Sequence, residues 1–318
     1  MRRLWILILF SGLAPLALTA IAAFPERPIR IISVGAPGAT PDMLSRRIGA
    51  GLTEVFKKQI VVDNRAGGVI AADLTAKAAP DGYTMFMTYH QHTVNASLTP
   101  NLPYRTIEDF TAITPLISAG LILVVHPSAP ANNMRQFIEW TKNFKGPLNF
   151  GSAGNGSGGH LSGELYKVMT GVKAQHIPYK TATASLIDLS ANDYQFNFAG
   201  ILSSNPYIRA GKLKAIAITS PKRSSGLPDL PTVNESGLPG FEFIGWYGLL
   251  GPARIPTPIL NLLHTEITRI AQQAEFRERV NAEGAEVFTL SPAEFSVFLK
   301  ANVEKWAKVL KASAARVD

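Results

Sequence analysis

The chain has 318 residues, no cysteine and a formal net charge of +8. This length exceeds the usual size of one domain and favours two. The lack of cysteine excludes disulfides, thiolate metal sites and cysteine nucleophiles, and it suits an oxidising compartment. Lysines and arginines are spread among acids rather than gathered into a nucleic-acid-binding arm. This distribution indicates either a solvated basic surface or a diffuse positive field that attracts small anions.

The N-terminus has the order of a secretory signal peptide. Two arginines precede an apolar run, residues 4–18, and an A-x-A spacing closes the segment. We expect cleavage after Ala22 or Ala23, so that residues 1–23 are removed and the remainder is exported. An uncleaved anchor is the alternative, because the same segment is nearly long enough to span a bilayer.

Strands and helices are predicted to alternate from residue 30 onward. An apolar strand at 30–34 ends in a loop of glycines and prolines. Thr40 is the predicted N-cap of the following helix, with Pro41 at its first position. A strand at 59–64, an alanine-rich helix and a strand at 83–89 come next. Short strands that alternate with helices indicate a parallel sheet and an α/β fold.

The same pattern starts again after a buried strand that begins at residue 121. Helices and short strands alternate up to a connection rich in proline, glycine and serine, residues 221–240. A strand and two closing helices follow. Ser291 and Glu294 have the spacing of a capping box at the start of the last helix.

One α/β unit is therefore inserted in the sequence of the other. We assign residues 24–123 and 246–318 to lobe 1 and residues 124–245 to lobe 2, with crossings near Val124 and near Trp246. Two lobes that are joined twice hinge around a central cleft. In an exported protein this arrangement indicates a clamp that closes on a ligand.

Five of the nine residues 151–159 are glycines, and they lie directly before a predicted helix. Gly154, Gly156 and Gly159 even form a G-x-G-x-x-G. A dinucleotide site is disfavoured, because the next strand ends at residues 176–180 without the acid that would bind a ribose. A P-loop is excluded as well, since no lysine follows Gly159.

Both of those motifs share one physical principle, which still applies here. A helix N-terminus presents free N–H groups and a partial positive charge, and glycines let an anion approach. The loop before Asp42 has the same character, and such loops meet at the carboxyl ends of parallel strands. We therefore predict an anion held between two helix ends, one from each lobe. The alternative is that the glycines only make tight turns.

Other patterns give weaker indications of chemistry. His90 and His92 could bind a metal, but no third ligand is nearby, so we predict no metal site. Neither Ser152 nor Ser157 lies in a G-x-S-x-G nucleophile elbow. Trp246 either stacks on a ligand or packs at a hinge. We predict no enzyme activity and no cofactor; an exported hydrolase of small carboxylate esters is the second alternative, although it lacks a visible nucleophile and base.

Segments along the whole mature chain resemble the exported solute-binding receptors of tripartite tricarboxylate transporters, also called Bug-type receptors. Among them are VVDNRAGG, AAPDGYT, LNFGSAGNGSGGHLSGELYK and WYGLLGPARIPTPILNLL. The resemblance implies a two-lobe, type II-like periplasmic-binding-protein fold and a small carboxylate held by water and by main-chain amides of both lobes. It implies a periplasmic protein, expected as a monomer, that delivers its ligand to the membrane subunits of a transporter or serves as an orphan receptor in ligand sensing.

The loops and the resemblance together give the predicted site. Ala39 stands where the family usually has a glycine, and Pro41 removes one amide donor. Ala199 stands where many members carry an acid that resembles a partner for a ligand ammonium, so we expect a carboxylate without an amine. The predicted ligand-binding residues are Gly38, Ala39, Thr40, Asp42, His90, Ser152, Ala153, Gly154, Asn155, Gly156, Ser157, Thr181 and Ala199.

Overall fold

The computed structural model describes residues 24–65, 67–224 and 226–313. The predicted signal peptide, residues 1–23, lies outside the described residues. Within these ranges no helix has the length and apolar character needed to cross a membrane.

Lobe 1 is built on a six-stranded mixed sheet. Its strands are β1 (Ile29–Val34), β2 (Ile60–Arg65), β3 (Thr84–Tyr89), β4 (Phe110–Ala119), β10 (Gly245–Pro252) and β11 (Glu286–Val287). Their order across the sheet is β11-β4-β10-β3-β1-β2. β1 pairs in parallel with β2 and β3, whereas β10 runs antiparallel to β3 and β4.

Helices cover both faces of this sheet. They are α1 (Thr40–Phe56), α2 (Gly68–Ala76), α3 (Gln91–Leu98), α8 (Thr257–Ala271) and α9 (Ala274–Ala282). The apolar residues of α1 recur at helical spacing, and Leu44, Ile48 and Leu52 are buried against α8 and the sheet. The prediction that Thr40 is the N-cap was wrong: Ala39 has the N-cap position, and Thr40 is the first helical residue.

Lobe 2 contains a five-stranded sheet with the order β7-β6-β8-β5-β9. Its strands are β5 (Leu121–Val125), β6 (Asn149–Ser152), β7 (Gln175–Pro178), β8 (Phe196–Gly200) and β9 (Lys214–Ile218). Its helices are α4 (Met134–Lys142), α5 (Gly158–Thr170), α6 (Ala182–Ser190) and α7 (Ile201–Arg209). β6 is parallel to β7 and β8, so α5 and α7 both begin at the same end of the sheet.

The chain passes from the first sheet to the second at Gly120 and returns at residues 244–245. The boundary that we predicted at 123/124 therefore falls inside β5. Trp246 is buried at the return crossing and packs edge-on against Phe295 and Phe298, which is the packing alternative for this residue.

The last helix, α10 (Pro292–Ser313), lies against both lobes. Its capping box is confirmed, because Ser291 N–H donates to Glu294 and Glu294 N–H donates to Ser291 Oγ. Phe295, in the first half, is buried in a lobe 1 cluster, whereas Trp306, in the second half, is buried in the lobe 2 core beside Phe243. The second half of α10 thus packs on the lobe that the sequence assignment did not give it.

Candidate functional site: an interlobe cleft

A cleft between the lobes consists of two adjoining cavities. The hinge-side cavity, of about 420 Å³, includes Gly120 and Gly245 at the crossings. The loop-side cavity, of about 430 Å³, includes Gly35 and Asn155 from the loops of the two lobes. Both cavities are lined by Thr40, His90, Ala153, Ser157, Gly158 and Tyr247. Residues from both lobes thus line both cavities.

Five helices begin at the walls of this cleft. First residues of α1, α5, α6 and α7 line the hinge-side cavity, and Gln91, the first residue of α3, lines the loop-side cavity. The first N–H groups of a helix have no acceptor within the helix, and the helix dipole makes that end positive. α1, α5 and α7 directly follow strands that carry them to the same edge of each sheet. This geometry can hold an anion without a cationic side chain.

The glycines before α5 have structural reasons of their own. Gly154 and Gly156 adopt φ values of +108° and +76°, which favour glycine. A Cβ at Gly158 would come within 2.8 Å of Phe243, and a Cβ at Gly159 within 2.8 Å of the Phe198 carbonyl oxygen. The tight-turn alternative therefore accounts for much of the glycine content. Gly158 and Gly159 nevertheless line the hinge-side cavity with backbone.

Two stacked histidines lie beneath this loop. The rings of His160 and His176 are 4.1 Å apart and nearly parallel. Gly156 N–H donates to His160 Nδ1 at 3.0 Å, and Ser152 Oγ lies 2.6 Å from His176 Nε2. Burial lowers the pKa of His176 to about 3 and also lowers the pKa of His160. The polar groups of Ser152 and Gly156 are thus bonded inward, and neither residue lines the cleft.

On the lobe 1 side, Asp42 holds the loop in place instead of facing the cleft. Its buried carboxylate accepts the Gly38 N–H at 2.8 Å and pairs with Arg46 at 3.0 Å. Burial would raise the pKa of Asp42, but the hydrogen bonds from Arg46 and from the Gly38 amide outweigh it and lower the pKa. An acid that is bonded in this way stabilises the loop and does not compete with an anionic ligand.

His90 is the least satisfied polar side chain of the cleft. It lines both cavities, is only 9% exposed, and neither ring nitrogen has a hydrogen-bond partner among the described residues. Burial lowers its pKa to about 4, so it is neutral at pH 7. His92 lines neither cavity, and its Nε2 lies 3.0 Å from the Thr106 carbonyl. Within the described residues, no group of three or more histidines and acids could hold a metal ion.

The remaining wall of the hinge-side cavity is mainly apolar. Ile117, Leu121, Phe198, Ala199 and Phe243 contribute to it, and Ala199 is 5% exposed. No lysine or arginine among the described residues lines either cavity. The one acidic lining residue in the described ranges is Glu283, which pairs with Arg47 at 2.5 Å.

The structure brings about half of the predicted site residues to the cleft. Those that line it are Ala39, Thr40, His90, Ala153, Asn155, Ser157 and Ala199. Those that do not are Gly38, Asp42, Ser152, Gly154, Gly156 and Thr181. Thr181 instead caps α6, where its Oγ accepts the Ala184 N–H at 3.1 Å. The role of the lining residues in ligand binding stays a prediction.

Sequence reasoning missed several lining residues. They are Asn197, Ser203, Phe243, Tyr247, Glu283 and Gly284. The start of α7 carried a usable signal, because Gly200 ends a buried strand and leads into the helix, as the glycines of the other cleft loops do. Glu283 and Gly284 carried none, since they belong to a surface turn that only tertiary packing brings to the cleft.

Two α/β lobes joined by two crossings, with helix N-termini around a shared cleft, define a solute-binding protein of the two-lobe periplasmic-binding-protein fold. Residues 44–314 match the family described as "Tripartite tricarboxylate transporter family receptor". The chain belongs to this family, as the sequence segments predicted.

Individual relatives agree with this assignment. Protein BugT of Bordetella pertussis is 30% identical over 99% of this chain and 98% of its own. A protein of R. palustris solved with adipate is 32% identical, with a TM-score of 0.78 over 92% of this chain and 100% of its own. MatC from Rhodopseudomonas palustris, solved with bound malate, is 28% identical, with a TM-score of 0.73 over 90% of this chain and 100% of its own.

Proposed function

We propose that this protein is a periplasmic receptor that captures a small carboxylate without an amine in the interlobe cleft and delivers it to a tripartite tricarboxylate-type transporter. The observation that carries the proposal is the ring of helix N-termini from both lobes around one cavity. Free backbone N–H groups and helix dipoles favour a carboxylate there. The cavity volume of about 420 Å³ suits a small organic ligand.

The wall chemistry supports a ligand that has no ammonium group. Ala199 offers no charge, and Glu283 is already paired with Arg47 at 2.5 Å. An ammonium in the cleft would therefore lose its water without gaining a free carboxylate partner, which costs several kcal/mol. The similar proteins solved with adipate and with malate, both carboxylates without an amine, support the same ligand class.

A ligand panel tests this function. We expect adipate, hexanoate or malate to raise the melting temperature and to bind with a stoichiometry of one in titration calorimetry, and glutamate to fail. A ligand at 100 times its Kd adds about 2.7 kcal/mol to the free energy of unfolding. Hydrolysis of small carboxylate esters, without stable binding of any acid, would instead favour the exported-hydrolase alternative.

The Ala199→Asp variant tests the role of the missing acid. A carboxylate on β8 should weaken binding of the native anion, by about 1 kcal/mol if the charges lie ~15 Å apart at an effective dielectric near 20. The same variant should improve binding of an amino acid of similar shape. Ala199→Asn is the matched control, because it adds the same volume without charge. Equal losses in both variants, for both ligands, would show that residue 199 only packs.

Delivery to a transporter is a separate part of the proposal. We expect uptake of the carboxylate into vesicles that contain the membrane subunits to depend on this protein, added as a monomer. Binding without any stimulation of uptake would favour the alternative of an orphan receptor in ligand sensing.

A further inference from the structure

We propose that the carboxylate of the ligand binds beside His90 and that binding adds a proton to this imidazole. The inference rests on the proposed carboxylate-binding function. It makes His90 the group that couples ligand affinity to pH and that selects an anion over a neutral solute.

The position of His90 is the first observation. β3 ends at Tyr89, and His90 is the N-cap residue of α3, so its side chain lies where both cavities meet. The ring packs edge-on against Tyr89 and Phe243, with centroids 5.2 and 5.4 Å away. These aromatic walls exclude water from the imidazole without bonding to it.

The missing hydrogen bonds are the second observation. The ring is more than nine-tenths buried, and both Nδ1 and Nε2 lack a partner among the described residues. A buried polar group without a partner is costly and calls for an explanation. A ligand carboxylate in the cleft would accept a hydrogen bond from this ring and remove that cost. His92, two residues further on, shows the contrast, since its Nε2 already bonds to a carbonyl of the protein.

The charges around His90 leave it as the available cation. The titratable groups that share the cleft walls with it are Tyr89 from β3, Tyr247 from β10 and Glu283 from the end of α9. Burial raises the pKa of Tyr89 to about 12 and also raises the pKa of Tyr247, so both phenols stay neutral. Glu283 is held by Arg47. In the described lining, an imidazolium is therefore the one side-chain cation that can form near a bound anion.

Linkage gives the size of the effect. Burial holds the pKa of His90 at about 4 when the cleft is empty. A carboxylate within ~4–6 Å raises the pKa of a histidine by about 1–3 units. With a rise of about two units, the bound protein is roughly three-quarters protonated at pH 5.5, whereas the empty protein is almost unprotonated. Binding should then take up about 0.7 proton and be about fourfold tighter at pH 5.5 than at pH 7.5.

Calorimetry with adipate and with malate tests the proposal. Titrations at pH 5.5 in two buffers of different ionisation enthalpy give the number of protons taken up. His90→Asn keeps a polar side chain but cannot titrate, so it should lose the proton uptake and the fourfold pH effect. It also supplies the baseline for the titration of the ligand itself. His126→Asn, which removes a partly exposed histidine outside the cleft, should bind these ligands like the unaltered protein.

The outcomes separate the inference from the function on which it rests. Tight binding with the same proton uptake in the unaltered protein and in His90→Asn would overturn the role of His90 alone. No binding of any carboxylate to the folded protein would remove the proposed function and this inference with it. If His90→Asn does not fold, an NMR titration of the His90 ring in the unaltered protein decides: its pKa must rise on saturation with ligand, and an unchanged pKa refutes the proposal.

Discussion

Mild acid, at pH 5.5, should destabilise this protein through its buried and partly buried histidines. Burial lowers the pKa of His90 and His92 to about 4 and that of His176 to about 3, against about 6.5 in an unfolded chain. The unfolded state therefore binds more protons below pH 6.5, and the stability from these residues is complete above that pH and falls as the pH drops. At pH 5.5 the contribution of each of these histidines to the free energy of unfolding is lower by about 1.4 kcal/mol. The three together lower the free energy of unfolding by about 4 kcal/mol.

Urea unfolding at pH 7.5 and pH 5.5 measures this loss. The lowered pKa of Asp42 and of Asp63 keeps these two carboxylates ionised throughout this range, so they do not add to the loss. His176→Asn should reduce the pH dependence by about 1.4 kcal/mol. An unfolding free energy that is the same at both pH values would refute the reasoning, since it would mean that the buried rings are protonated at no cost.

Two further predictions concern α5. Gly159→Ala places a Cβ 2.8 Å from the Phe198 carbonyl oxygen and should lower the free energy of unfolding by about 1–3 kcal/mol, whereas Gly68→Ala, with no atom closer than 3.8 Å, should leave the melting temperature unchanged or slightly higher. Glu164→Gln removes the buried charge that pairs with Lys167, 2.9 Å away. It should lower the free energy of unfolding, but by less than the ~3–5 kcal/mol of a fully buried pair, because Lys167 reaches solvent. Equal urea midpoints for this variant and the unaltered protein would contradict this prediction.

The strands and the long amphipathic helices could be predicted because the local spacing of their apolar residues indicates which side chains are buried. β3 has an apolar centre of Met85, Phe86 and Met87, and α1 shows buried leucines and an isoleucine at helical spacing. α3 could not be predicted in this way, since its polar sequence QHTVNASL is buried mainly through its packing against α10, about 200 residues later in the chain. α9 was also missed, because only two closing helices were predicted and its polar sequence AEFRERVNA buries just Phe276 and Val280.

The sequence predicted which loops form the candidate site, but it did not predict which of their side chains face the cleft. A short polar residue in a glycine loop can point to the ligand or to the protein, and packing decides which. Asp42 and Ser152 point inward, because the Gly38 amide and His176 offer them partners there. His90 has no such partner and is left at the cleft. The amide that binds Asp42 lies only four residues earlier, whereas His176 lies 24 residues after Ser152 on another strand, so the local sequence contains only part of this choice.

Tight turns and anion binding were alternative explanations of the glycine loop in the sequence, and in the structure the two are compatible. The missing side chains at Gly158 and Gly159 let the start of α5 approach Phe243 and the Phe198 carbonyl, which is a packing requirement. The same close approach places the first amides of α5 at the wall of the cleft, next to the end of β8 and the start of α7. A side chain at either glycine would push α5 away and cover those amides together. Tight packing and the proposed anion recognition thus depend on the same absent Cβ atoms, so we expect that neither can be altered without the other.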